Sequence, residues 1–206
     1  MNGAIALTES PRNRFADDAT DDVRSIVAAA RRGDRAAFAT LHQTFAPMVH
    51  AVLLSRLSAH DADDLVQEVF VIAMEKITLL RRDEAFGGWL VTIARRCAAH
   101  HLRSRRMAGT LPADLHAHED EQVDRAEAER LLAVIRTLPE IYSETLIMRL
   151  VEGMTGPQIA AWTGMTHGSV RINLHRGMAL LRERLAQPAR DEAPSESRDR
   201  KENHHA

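Results

Sequence analysis

Cys97 is the one cysteine in the chain, so no internal disulfide can form and no Cys-x-x-Cys zinc frame exists. A reducing compartment suits such a chain. Aromatic residues are scarce, at 4%, and β-branched residues never form a long alternating run, which leaves no convincing strand. Residues 1–20 are polar and charged, without the apolar core of a signal peptide. No apolar run approaches the length of a bilayer span. A soluble, cytoplasmic protein without membrane insertion is expected. The eleven histidines include His100-His101, His116/His118 and His204-His205. None sits in a His-Glu-x-x-His frame, and none has acid ligands at helical spacing, which argues against a metal-dependent hydrolase. No catalytic residue, metal or cofactor is expected, and the chain reads as a non-enzyme.

Ala, Leu and Arg are abundant instead, and all three enter a helix at little cost. The expected class is all-α. Net charge is −2 and the pI about 6.6, less basic than a free-standing DNA-binding domain usually is. The charge is uneven, however. Residues 95–106 hold five arginines and no acid, residues 107–130 hold seven acids against two arginines, and residues 171–184 hold four arginines against one acid. Two basic patches flanking an acidic connector suggest polyanion contact at two places. Solvated helix faces would give the same pattern.

Apolar periodicity divides the chain into two small helical domains, 21–106 and 123–186. A flexible acidic linker, 107–122, joins them, between a disordered N-terminus, 1–20, and a disordered tail, 187–206. Asp34 is placed to cap a helix carrying the stripe Phe38, Leu41, Phe45, Val49 and Val52, which Pro47 is expected to kink. Asp61 opens the next helix, with Leu65, Val69, Ile72 and Ile77 on one face and Asp61, Asp63 and Asp64 at its positive end. A fourth helix runs from about Ala85 to Arg106. Its Gly87-Gly88 pair is costly in a helix interior and loosens the first turn. After the linker, Leu131, Leu132 and Ile135 form a stripe ending at Leu138-Pro139. Another helix follows to about Glu152, stopped by Gly153.

The sharpest local signal spans residues 155–184. Thr155 and Gln158 fit a capping box. Ala160, Gly164 and Val170 stand at the spacing of a helix-turn-helix: a small residue at the crossing, a glycine for the left-handed turn, an apolar residue packing the second helix. Thr166 caps that second helix, and Val170, Leu174, Met178, Leu181 and Leu185 face inward. Ser169, Arg171, Ile172, Asn173, His175 and Arg176 remain outside. Arg171 can reach guanine or phosphate, and Asn173 can pair with adenine, from the start of a helix lying in a major groove. An ordinary helical hairpin with a solvated face is the bland alternative.

Several further motifs stand in register with it. The stretch Asp61-Ala-Asp-Asp-Leu-Val-Gln-Glu-Val-Phe70 resembles the polymerase-binding region of sigma factors. Ala85-Phe-Gly-Gly-Trp-Leu-Val-Thr-Ile-Ala-Arg95 followed by His100-His-Leu-Arg-Ser-Arg-Arg106 resembles their promoter-melting region. Leu138-Pro-Glu, Leu146-Ile-Met-Arg-Leu-Val-Glu-Gly153, Gln158-Ile-Ala160 and Gly168-Ser-Val-Arg-Ile-Asn-Leu-His-Arg176 are similar to the family's C-terminal (winged-helix-like) helix-turn-helix. The resemblance covers residues 23–185 and is to the extracytoplasmic-function (ECF) group of RNA polymerase sigma factors of the sigma-70 family.

That resemblance implies a subunit that binds core RNA polymerase and directs ATP-independent initiation at chosen promoters. Asp64, Gln67, Glu68 and Val71 match the positions that dock on the clamp helices of the largest polymerase subunit. The loop 78–84 with Arg81, Arg82 and Asp83, and the helix positions Arg95, Arg96, His100 and Arg103, match the handling of the minus-10 element. There the family captures an extruded base, at a cost of about a few kcal/mol. Phe86 and Trp89 could stack on bases, but their core spacing favours packing. The family commonly carries Asn where Arg96 stands. Ser169, Arg171, Ile172, Asn173, His175 and Arg176 match the minus-35 reader. The acids Asp114, Glu119, Asp120 and Glu121 of the connector could mimic RNA phosphates in the exit path. An anti-sigma factor and promoter DNA are the other implied partners. A conventional helix-turn-helix regulator acting without polymerase is the alternative.

Overall fold

The computed structural model describes residues 14–108 and 119–186. Within them the chain forms the helices α1 (Arg14–Arg31), α2 (Arg35–Leu54), α3 (Ala59–Lys76), α4 (Phe86–Ala108), α5 (Glu119–Arg136), α6 (Glu140–Leu150), α7 (Gly156–Thr163) and α8 (His167–Ala186). Two short 3-10 turns, Ile77–Leu79 and Asp83–Ala85, link α3 to α4. No strand occurs among the described residues. α1 begins at Arg14, ahead of the expected start at Asp21, and α5 begins at Glu119 inside the stretch read as linker. Residues 1–13, 109–118 and 187–206, with Asp114, lie outside the described residues.

Local chemistry accounts for the helix ends. Asp34 caps α2, its carboxylate accepting from the N–H groups of Ala36 and Ala37 at 2.9 and 3.1 Å. Such a cap stabilises a helix by about 1 kcal/mol. Ser58, not Asp61, caps α3. The N–H of Asp61 donates to the Ser58 hydroxyl, which donates in turn to the Asp61 carboxylate at 2.7 Å. Pro139 stands at the cap of α6, one residue before the helix proper, and Gly153, at φ +65°, closes the turn after it. α2 is one helix through Pro47.

The first domain, α1–α4, packs around α2. Leu41, Phe45, Met48, Val49 and Val52 of α2 meet Leu65, Val69, Phe70 and Ala73 of α3 and Phe86, Leu90, Ala94 and Ala98 of α4. By length and composition alone α2 could cross a membrane. Its apolar residues are nonetheless the buried centre of this domain. Phe86 is fully buried and Trp89 half-buried against it. The second domain, α5–α8, is built on Ile135, Leu138, Leu146, Ile147, Ile159, Val170 and Leu181. Leu131 and Leu185, expected inside, are exposed.

The two domains are packed against each other, which linker composition does not foretell. The rings of Phe45 (α2) and Trp162 (α7) lie 5.5 Å apart. Arg136 of α5 donates through Nε to the carbonyl of Leu54 at the end of α2, 2.9 Å away. The start of α4 presses on the end of α7 so closely that a Cβ on Gly87 would stand 1.8 Å from the carbonyl oxygen of Trp162. A glycine inside a helix costs about 1 kcal/mol relative to alanine. This approach is what requires it here.

Candidate polymerase and nucleic-acid interfaces

Three faces carry the residues singled out in the sequence. On α3, Asp64, Gln67, Glu68 and Val71 stand at three- and four-residue steps, opposite the buried Leu65, Val69 and Ala73. All four are exposed. Val71 leaves 50% of its surface open and Met74, one turn further, 53%. The exposure of Met74 was not anticipated from the sequence, because an apolar residue in an amphipathic helix is read as core by default. Asp64 lies 3.6 Å from His60, one turn back on the same helix, and Gln67 touches His42 of α2 at 3.5 Å. The face is acidic with two exposed apolar side chains, which suits a protein partner carrying complementary basic charge.

The second face comprises the α3–α4 connection and α4. Arg81 and Arg82 are exposed. Arg82 turns back on Glu84, with Nε and Nη2 at 2.8 and 2.7 Å from Oε1. Asp83 is turned toward α1. Its carboxylate accepts from Arg31 of α1 at 2.7 Å, with only a quarter of the side chain exposed. Asp83 thus anchors the connection to the first domain. The signal that could have shown this is weak, since Arg31 stands 52 residues earlier.

Along α4, Arg96, His100 and Arg103 are exposed and follow one side of the helix. Arg95 is placed differently. Its guanidinium binds Glu144 of α6 with Nε at 2.9 Å from Oε1 and Nη2 at 2.6 Å from Oε2, and it lies 3.0 Å from Glu140. The hydrogen bond to Glu144 raises the Arg95 pKa above its ordinary value, although burial works against it. Glu144, only 3% exposed, is also approached by Arg56 at 3.7 Å, and Arg56 pairs with Glu140. Arg105, read as part of the basic end, is likewise committed, donating to Asp61 at 2.6 Å. Burial alone would raise the Asp61 pKa, but the Ser58 hydroxyl, Arg105 and His101 outweigh it and lower the value.

The third face belongs to the helix-turn-helix. The capping box forms in full: the Thr155 hydroxyl accepts from the N–H of Gln158, and the Gln158 side chain accepts from the N–H of Thr155 at 2.8 Å. Gly164 adopts φ +76° and ψ 10° at the turn, the left-handed geometry that a side chain disfavours. The Thr166 hydroxyl accepts from the N–H of Ser169 at 3.1 Å and so caps α8. Val170 and Leu181 are buried, while Gly177 fits under Leu146 and Tyr142 of α6. Ser169, Arg171, Ile172, His175 and Arg176 are exposed on α8. Asn173 is half-buried, its amide 3.6 Å from the sulfur of Met165.

Among the described residues the histidines do not converge. His101 sits 3.3 Å from Asp61 within the first domain. His50 of α2 lies between Asp63 of α3 at 3.3 Å and Glu152, beyond α6, at 2.5 Å. The hydrogen bond to Glu152 raises the His50 pKa, with burial opposing and Asp63 adding to the rise. No group of three or more His, Cys, Asp or Glu able to hold a metal occurs among the described residues.

A capped helix-turn-helix with an exposed basic face, joined to a second helical domain with a basic helix, is an architecture suited to DNA binding. Comparison with known proteins narrows this class. A family model described as Sigma-70 region 2 matches residues 41–107, and one described as Sigma-70, region 4 matches residues 128–181. The chain is 30% identical over 178 residues to the ECF RNA polymerase sigma factor RpoE of Cereibacter sphaeroides, covering 82% of this chain and 97% of that relative. It is 28% identical over 195 residues to the ECF RNA polymerase sigma factor BldN of Streptomyces coelicolor, covering 87% of this chain and 72% of that relative. The solved structure of CnrH in complex with the cytosolic domain of CnrY is 25% identical, with a TM-score of 0.55, over 80% of this chain and 97% of CnrH.

The chain belongs to the ECF RNA polymerase sigma factors of the sigma-70 family. It is an alternative sigma factor, a transcription initiation subunit. The reading as a regulator independent of polymerase is not favoured, because both sigma regions match in order.

Proposed function

We propose that the exposed face of α3, Asp64, Gln67, Glu68 and Val71, docks on the clamp helices of core polymerase, with Met74 extending the contact. The minus-10 element is handled by Arg81, Arg82, Arg96, His100 and Arg103. Arg95 joins them once it is released from Glu144. Ser169, Arg171, Ile172, Asn173, His175 and Arg176 read the minus-35 element. The supporting observation is that, Arg95 and Asn173 apart, these residues are exposed on three surfaces, α3, the α3–α4 connection with α4, and α8, each with chemistry its partner can use: acid and apolar for a protein, basic for phosphates, mixed polar and basic for base edges.

The domains that do this work are 21–106 and 123–186, and the chain acts in the cytoplasm without catalysing a reaction of its own. A cognate anti-sigma factor is the further partner, supported by the complex in which the similar CnrH is seen. Run-off transcription with purified core polymerase tests the whole reading. Specific transcripts should appear only when this chain is added, with no need for ATP hydrolysis to open the promoter. Equal transcription with and without the chain would overturn it.

A further inference from the structure

We propose that the free chain holds itself closed, the second domain clasped onto the first through Gly87, and that this closure withdraws Arg95 from DNA. The centre of the contact is apolar, Phe45 against Trp162, and three charged contacts surround it. Arg95 grips Glu144 and Glu140, Arg56 reaches the same two carboxylates, and His50 meets Glu152. Each joins an element of the first domain to one of the second, so the interface has the apolar core and polar rim of a specific contact.

Gly87 is the position that permits it. The atoms a side chain there would strike are the backbone carbonyl of Trp162, at 1.8 Å for oxygen and 2.8 Å for carbon. Backbone cannot rotate aside as a side chain can. The nearest atom from its own domain is Cε1 of Phe45 at 3.2 Å, which a small ring movement relieves. The glycine is therefore demanded by the second domain more than by the fold of the first. Gly88 repeats the pattern more loosely, with the Thr163 carbonyl oxygen 3.4 Å from its notional Cβ.

Closure and full DNA contact by Arg95 compete, since Nε and Nη2 are held by Glu144 while the domains are closed. Both nitrogens that bind Glu144 would have to leave a carboxylate to meet a phosphate. The reading face of α8 stays exposed in the closed chain, so closure blocks the downstream contact and spares the upstream one. This consequence for DNA rests on the assignment of Arg95 to the minus-10 contacts, whereas the closure itself does not.

The test uses the full chain with dyes at the exposed positions Gln43 and Ala179, each changed to cysteine, and energy transfer between them. Gly87→Ala should lower the transfer well below that of the parent while helical content and cooperative unfolding persist. Arg56→Glu, which opposes Glu140 and Glu144 with a like charge, should do the same and serves if Gly87→Ala does not fold. Unchanged transfer in a folded variant of either kind would overturn closure. In a second arm, binding to a downstream promoter fork is measured without polymerase. Opened variants should bind several-fold more tightly, with a salt slope steeper by about one phosphate contact. If they open yet bind DNA no better, closure stands and the sequestering of Arg95 is overturned.

Discussion

Arg95 on α4 and Glu144 on α6 meet edge to edge, through parallel N–H···O bonds of 2.9 and 2.6 Å, across the boundary between the two domains. Glu144 is almost wholly buried, while 38% of the Arg95 side chain remains exposed. Removing the arginine leaves a buried carboxylate with Arg56 as its remaining cation, at 3.7 Å. A double-mutant cycle of Arg95→Ala and Glu144→Gln, followed by urea unfolding, should yield a coupling of about 1 kcal/mol. That lies low in the range for contacting residues, because solvent screens the arginine. Additive effects of the two substitutions would mean that the pair does not form in solution.

Glu68→Lys reverses one charge on an exposed turn of α3 and should leave the unfolding midpoint of the chain within the spread of ordinary surface substitutions, about 0.5 kcal/mol. Affinity for core polymerase, read by competition with the parent chain, should fall by roughly fivefold or more, the cost of an energetically significant interface residue. Undiminished competition would remove α3 from the docking face.

Arg171→Ala and Asn173→Ala should weaken use of the upstream promoter element by about 1–3 kcal/mol each, if each makes a bidentate base contact. Asn173 must first leave its contact with Met165. Arg176→Ala should reduce binding to all sequences alike, the mark of a phosphate contact. Transcription that ignores scrambling of the upstream element would show that α8 is not reading it.

Within the α3–α4 connection, Asp83 and Arg82 should separate. Asp83→Ala breaks the contact with Arg31 and should lower stability by about 1 kcal/mol, as a part-buried charged hydrogen bond would. Arg82→Ala should change downstream promoter preference with little loss of stability, its contact being to the neighbouring Glu84. Thermal unfolding, paired with permanganate footprints over a set of downstream sequences, distinguishes them. Equal destabilisation by both would refute the division.

His50 makes the domain contact sensitive to pH. Its pKa is raised in the folded chain, first by the hydrogen bond to Glu152, so its protonated form stabilises the closed arrangement. That contribution is complete below the ordinary histidine value of 6.5 and is lost as pH rises through the raised folded value. Energy transfer between the domains should decline over that window, and His50→Gln should flatten the decline. A parent chain with no change in transfer across the window would exclude His50 as a contributor.

Much of this protein was legible along the chain because its signals are local. Helix periodicity, the Asp34 cap, the Thr155–Gln158 box and the left-handed turn at Gly164 depend on residues within a few positions of one another. Helical spacing likewise placed Ser169, Arg171, Ile172, His175 and Arg176 on the outside of α8, while the α3 residues Asp64, Gln67, Glu68 and Val71 came from the family resemblance. What tertiary structure alone decided are the pairings over long separations. Asp83 is drawn inward by Arg31, Arg105 is taken by Asp61, and Arg95 is taken by Glu144. A basic helix reads as a phosphate-binding face until its arginines find carboxylates elsewhere in the chain, and helical periodicity carries no information about a partner dozens of residues away. The Gly87-Gly88 pair shows the same division. Its cost to a helix can be read from composition, but its reason, the backbone of Trp162 and Thr163, exists only once the two domains have met.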